Sequence, residues 1–377
     1  MLRINQLKLP PSVQGEQLYQ ALHKKAGKVL GCEQGAIEQL QILKCSIDAR
    51  KKTDIVYSYT VDVQLRGKED FYLKRVKDKN QVQKITPQVY SFPQAGEAPL
   101  SHRPVIVGTG PCGLFAGYML ALHGYRPILL ERGANVENRQ QDVEQFWKTG
   151  VLKPESNVQF GEGGAGTFSD GKLNTLVKDK DGRGREVLRI FVKAGAPERI
   201  LYDAKPHIGT DVLTDVVIHM RKTIQEHGGE IRFHSKVTDI IIEEGRITGV
   251  QVNEKEHLDT SICILAIGHS SRDTYQMLQN RGIAMEAKSF AVGFRVEHPQ
   301  HLIDMDQYGR THEESGLPTA AYKVTAKTST GRGVYSFCMC PGGQVVASAS
   351  ETGHVVTNGM SYHARDGKNA NAAVVVS

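Results

Sequence analysis

RPVIVGTGPCGLFAGYMLALHGYRPILLERG, residues 103–133, decides how the rest of the chain is read. The apolar run Val105–Val107 predicts a short buried strand, and Gly108, Gly110 and Gly113 follow it at the spacing G-x-G-x-x-G. Gly108 permits a tight turn, Gly110 lets the backbone approach a pyrophosphate, and Gly113 lets the next helix pack close to the strands. The start of that helix offers unpaired N–H groups and the positive end of its dipole to the anion. Ile128–Leu130 predict a second strand. Glu131 ends it, 23 residues after Gly108, where a carboxylate accepts from ribose hydroxyls and repels a 2′-phosphate. The reading is a Rossmann-type βαβ unit holding FAD or NAD rather than NADP.

Upstream, residues 2–7 predict a strand and 16–30 a helix, followed by two alternating strands. In the second of these Ile55, Tyr57, Tyr59, Val61, Val63 and Leu65 recur every other residue, which puts them on one buried face. PQAGEAPLSHRP (93–104) holds three prolines and no apolar periodicity, so it predicts a linker. Downstream, GTDVLTDVVIHMRKTIQEHGG (209–229) predicts a helix with Thr210 or Asp211 as N-cap, and 231–267 reads as strand-rich. The expected organisation is α/β: a small α+β module over 1–97, separable from the rest, a Rossmann-type domain over 98–285, and part of a second domain over 286–377.

Composition narrows the class. Apolar residues make up 40% and charged residues 23%, ordinary values for a packed globular chain. No apolar run reaches the roughly 18 residues of a membrane span, and the N-terminus lacks the apolar stretch of a signal peptide, so the expectation is a cytoplasmic protein with no membrane partner. The six cysteines form no zinc-like CxxC pairs, and no metal site is expected. The net charge of +6 lies wholly in residues 1–100, with 16 Lys+Arg against 10 Asp+Glu. Asp48, Arg50, Lys51 and Lys52 are part of it. A basic module can meet nucleic acid or an acidic partner, although a solvated face is the expected role.

Six segments carry a resemblance: GTGPCGLFAG (108–117), QFGEGGAGTFSDGKL (159–173), LAIGHSSRDT (265–274), FAVGFRVEHPQ (290–300), YSFCMCPGG (335–343) and TNGMSYHARDGKNAN (357–371). Through them the chain resembles a family of bacterial FAD-dependent dehydrogenases related to the glutathione-reductase-like flavoproteins. The resemblance implies a three-layer FAD-binding domain interrupted by a second domain, after an N-terminal α+β appendage. It selects FAD over NAD, with Val237 near the adenine and Gly268 returning to the cofactor. It implies no substrate. In such flavoproteins a further Gly-rich turn closes over the flavin, whereas this sequence stops at NAAVVVS, so a C-terminally truncated chain is expected.

The glycine-rich GEGGAGTFSDGK suits close approach of backbone to a ligand and is placed beside the flavin. The cofactor-binding set is then Gly108, Gly110, Pro111, Gly113, Glu131, Arg132, Gly163, Gly164, Val237 and Gly268. For catalysis the candidates are His269, as a general acid or base, and the pair Cys338 and Cys340. On a regular strand residues two apart lie roughly 6.5 to 7 Å from each other, at or beyond disulfide range, so buried structural cysteines are expected there. No second complete G-x-G-x-x-G follows a strand, so a separate NAD(P)H-binding domain is not expected, and NAD(P)H is one candidate among unidentified donors. The function read from the sequence is an FAD-dependent oxidoreductase with unidentified reductant and acceptor. Its rival is an FAD-containing redox sensor or binding protein whose basic N-terminal module contacts nucleic acid or a protein.

Overall fold

The computed structural model describes residues 1–175 and 177–376. Its N-terminal sheet is antiparallel, in the spatial order Ile37–Asp48, Val56–Leu65, Leu2–Leu9, Val82–Lys84. The alternation in Val56–Leu65 does what it predicts: Tyr57, Tyr59, Val61, Val63 and Leu65 are buried, while Ile55 lies just before the strand. Helix Gly15–Leu30 covers that face with Leu22, Ala26 and Leu30.

The module does not stand apart, contrary to expectation. Tyr308, Leu317 and Ala320, more than two hundred residues downstream, complete its core, and Tyr202 packs against it. The Cys45 amide donates to the Tyr202 carbonyl at 2.6 Å, and the Cys45 carbonyl accepts from Ala204 N at 2.8 Å. Alternating residues announce a buried face; they do not say which segment covers it.

In the next unit four parallel strands run in the order Cys263–Leu265, Val105–Val107, Ile128–Leu130, Glu230–Arg232. Because successive side chains point to opposite faces, each strand serves two layers. Ile106 and Leu129 pack under helices Pro111–Leu122 and Thr210–Glu226. Val105, Val107, Ile128 and Leu130 face Val237, Val250 and Val252 of an antiparallel meander, Val237–Glu243, Arg246–Val252 and Glu256–Asp259. The result is three layers. One helix start differs from the reading: Gly209, at φ 86°, is the N-cap, and Thr210 and Asp211 are already helical. Their side chains are engaged elsewhere, Thr210 Oγ1 donating to the Thr167 carbonyl and Asp211 accepting from His363 N at 2.8 Å.

All four parallel strands precede a third antiparallel sheet, ordered Val292–Pro299, Asn369–Val376, Gly333–Cys340, Thr325–Lys327. The hairpin Gln344–Ala347 and Thr357–Met360 lays Val346 and Met360 on Val143, Val158 and Phe168, so packing crosses the boundary at 285. Among the described residues no helix is long and apolar enough to cross a membrane.

Candidate functional site

The turn after Val107 opens onto a cavity of about 380 Å³. Gly108, Gly110 and Pro111 form one side, Gly161, Gly164 and Ala165 face them, and Val237, Gly268 and His269 also line it. The three fingerprint glycines have different reasons for being glycine. Gly108 sits at φ 98°, and a Cβ there would lie 2.6 Å from the Ala266 carbonyl oxygen. A Cβ on Gly113 would overlap the Gly108 carbonyl oxygen. Gly110 is different: its Cβ would find only Gly164 Cα, at 3.8 Å. The first and third glycines are needed by the fold, and the second keeps the cavity open. Pro111 is the first residue of helix Pro111–Leu122, where its fixed φ suits the helix and no N–H is lost.

Glu131 closes the strand as predicted, but its carboxylate is already engaged. Oε2 accepts from Thr109 N and Thr109 Oγ1, both at 2.8 Å, and Oε1 accepts from Gly133 N and Gly161 N, both at 2.9 Å. Four donors fill the lone-pair capacity of a carboxylate. In this arrangement Glu131 staples the phosphate-type turn to the glycine-rich loop, and a ribose hydroxyl would have to displace one of these donors. Arg132 also lines the cavity, with its guanidinium committed to Glu155 at 2.6 Å and Asp273 at 2.7 Å and lying over the Phe160 ring. Gly163 stands one position behind the wall, a correction to its assignment: its N–H donates to the Thr109 carbonyl at 2.9 Å, and a Cβ would run into Thr167.

Two residues that the sequence reading missed hold this loop. Arg139 is fully buried and donates to the carbonyls of Asn157, Val158, Gly161 and Glu162 and to Thr167 Oγ1. The signal was present: Val136, Arg139 and Val143 form the buried stripe of helix Val136–Thr149, and an arginine on such a stripe must find acceptors inside. Glu162, also fully buried, accepts from Val136 N at 2.9 Å and from Arg221 at 3.0 Å through Oε2. Its Oε1 has no partner among the described residues. Burial pushes its carboxyl up to about 7, Glu137 and Glu131 adding to the rise and the Val136 amide and Arg221 opposing it.

His269 is exposed on the cavity rim, with Nδ1 3.2 Å from Ser270 Oγ. Cys338 and Cys340 do not line the cavity; they sit on strand Gly333–Cys340 beside Lys172 and Arg295. Asp48 is taken up by Arg50 and Lys8. Among the described residues no cluster of three or more His, Cys, Asp or Glu is placed to hold a metal ion.

Residues 289–377 match the family described as "FAD-dependent protein, C-terminal domain-like", and residues 1–64 match a domain of unknown function. FAD is the cofactor that the first match assigns. A protein of Clostridium beijerinckii described as uncharacterized is 50% identical over 357 residues, which cover 94% of this chain and 66% of that protein. The chain thus spans just under two thirds of the length of this relative. Solved structures that resemble it include FqzB (TM-score 0.37, 15% identity, 74% of this chain and 54% of that one) and the flavin-dependent brominase Bmp2 (TM-score 0.36, 14% identity, 73% and 56%). The THI4 structure of Thermovibrio ammonificans follows at TM-score 0.32, 18% identity, 49% and 64%. Likeness at these levels carries no argument.

The residues present fit FAD on one independent ground. The space that a Cβ at 110 would fill lies between the turn and Gly164, directly before the N-terminus of a twelve-residue helix, where an anion is favoured.

Proposed function

We propose that this chain is an FAD-dependent oxidoreductase of the dehydrogenase type, moving electron pairs from a small-molecule reductant to an acceptor, both still to be identified. When bound, FAD supplies the two-electron chemistry. The observation that carries the reading is the glycine-lined cavity at the end of the parallel strands, in a chain whose residues 289–377 match an FAD-dependent family.

In this reading Gly108 and Gly110 let the backbone reach the diphosphate, and the start of helix Pro111–Leu122 stabilises its charge. Val237 offers the adenine an apolar wall. Glu131 ties the turn to the loop 161–168, and Arg139 holds that loop in shape. His269, on the rim, is the side chain available to give or take a proton at the open end. The rival reading is an FAD-containing redox sensor or binding protein whose basic N-terminal region contacts nucleic acid or a protein; in that region Arg3 is bound to Asp62, and Lys8 and Arg50 to Asp48.

The test is to release the cofactor by heat, identify it by chromatography, and then measure NADH- and NADPH-dependent reduction of a dye acceptor. FAD with steady turnover supports the proposal. Recovery of FMN alone, or FAD with no reductant able to bleach its absorbance, overturns it.

A further inference from the structure

Strand Gly333–Cys340 carries two thiols that a regular pleat would keep too far apart to join. The strand is not regular there. Phe337 pairs with Ala373 and Cys340 with Asn371, so three steps on one strand match two on its neighbour. The extra residue makes a bulge, and within it Cys338 takes φ 47°, in the left-handed region that few non-glycine residues adopt. The Cys340 thiol turns back toward Cys338, its Sγ 3.3 Å from the Cys338 carbonyl oxygen.

The pair lies beside two cationic side chains. Lys172 Nζ lies 3.7 Å from Cys340 Sγ, and Arg295 Nη1 donates to the Cys338 carbonyl at 3.2 Å and to Asn371 Oδ1 at 2.6 Å. Asn371 is fully buried, and its Nδ2 donor has no partner among the described residues. A Cβ placed on Gly359 would strike Asn371 Oδ1, Arg295 Nη1 and Cys340 Sγ together, so amide, guanidinium and thiol converge on one point that this glycine leaves open. Asp170 is the opposing charge: it accepts from Lys172 at 3.0 Å and is also bound by Arg365 and Ser361.

We propose that Cys338 and Cys340 are a redox-active dithiol that exchanges electrons with small-molecule disulfides, Cys338 attacking and Cys340 resolving. Cys338 is half-buried, whereas Cys340 is buried. The Cys340 thiol, then Lys172 and Arg295, hold Cys338 below the ordinary thiol range against the effect of burial, and Cys340 is pushed up. The Cys338 thiolate attacks one sulfur of the disulfide RSSR, and RS⁻ leaves and takes a proton from solvent. Cys340 then attacks Cys338 Sγ and expels the second RS⁻, its proton passing to that leaving group to give RSH. The protein dithiol is oxidised by two electrons, RSSR is reduced to two RSH, and no other reactant is needed. This goes beyond the flavin proposal and does not depend on it.

The experiment equilibrates the full chain in glutathione and glutathione disulfide mixtures, quenches with acid, alkylates, digests with trypsin and weighs the peptides. Residues 333–365 form one tryptic peptide that holds both cysteines and no other. The expected result is loss of two hydrogens from that peptide as the mixture becomes oxidising. Cys340→Ser should instead retain glutathione on Cys338, and Cys338→Ser should leave Cys340 free. Cys338 should also alkylate readily at pH 6.5, where an ordinary thiol of pKa about 8.5 is roughly 1% ionised. A peptide that stays in the dithiol form at every ratio, alkylation at pH 6.5 no faster than that of glutathione, or an adduct on Cys340 in Cys338→Ser would each overturn the proposal.

Discussion

Replacing Gly110 separates the cofactor from the fold. Its φ of −66° suits any residue, and a Cβ there meets only Gly164 Cα at 3.8 Å, so Gly110→Ala leaves the protein's own packing undisturbed. The added methyl instead enters the cavity where the fingerprint brings a diphosphate to the turn. Displacing the anion from one charged hydrogen bond costs about 1.5–3 kcal/mol, roughly ten- to 150-fold in Kd. Gly110→Val, with two further methyls, should abolish binding. Gly113→Ala should behave in the opposite order, because its Cβ overlaps the Gly108 carbonyl oxygen and the helix must shift before any ligand is involved. Titrating FAD by flavin fluorescence while following circular dichroism reads the two effects separately. A Gly110→Val protein with wild-type affinity for FAD would refute the placement of the diphosphate at this turn.

Three other outcomes follow from the packing. Glu162 has a folded pKa raised to about 7 from an ordinary 4.5, so its contribution to stability is complete below about pH 4.5 and is lost as pH rises to about 7. That slope is worth on the order of 3 kcal/mol; urea unfolding across this window should show it in the wild type and not in Glu162→Gln, and equal slopes would exclude the assignment. Arg139→Met removes a buried guanidinium from five oxygen acceptors and should cost about 3–5 kcal/mol with loss of flavin retention; a change under about 1 kcal/mol in the same assay would contradict it. Deleting residues 1–97 uncovers Tyr308, Leu317 and Ala320 and should give an aggregating protein, whereas a monodisperse, FAD-binding 98–377 fragment on size-exclusion chromatography would show that the shared core is dispensable.

Where the determinants are local, the sequence was sufficient. Strands Val105–Val107 and Ile128–Leu130 fall where the apolar runs put them, and helix Gly15–Leu30 begins one residue before the predicted 16. Glycine spacing and apolar runs act within a few residues of themselves. The remaining features depend on partners distant in the chain. Thr210 looks like a cap until Thr167 claims its hydroxyl, and Glu131 looks free for a ribose until Gly133 and Gly161 claim one of its oxygens. The bulge at Cys338 arises from a register set by Ala373 and Asn371, which no periodicity in Gly333–Cys340 encodes. Arg139 comes nearest to being readable, since its place on a buried stripe demanded acceptors without naming them.

The core shared between the first sheet and residues 308–320 also sets a timetable for synthesis. The last strand of that sheet ends at Lys84, yet Tyr308 leaves the ribosome 224 residues later. At about 5–20 residues per second this is a wait of roughly ten to fifty seconds. Throughout it the surface around Tyr57 and Tyr59 has no cover from Tyr308, Leu317 or Ala320, and the nascent chain presents an apolar patch for far longer than such a sheet takes to form. Newly made chains should therefore depend on a chaperone that shields this patch until the C-terminal segment arrives.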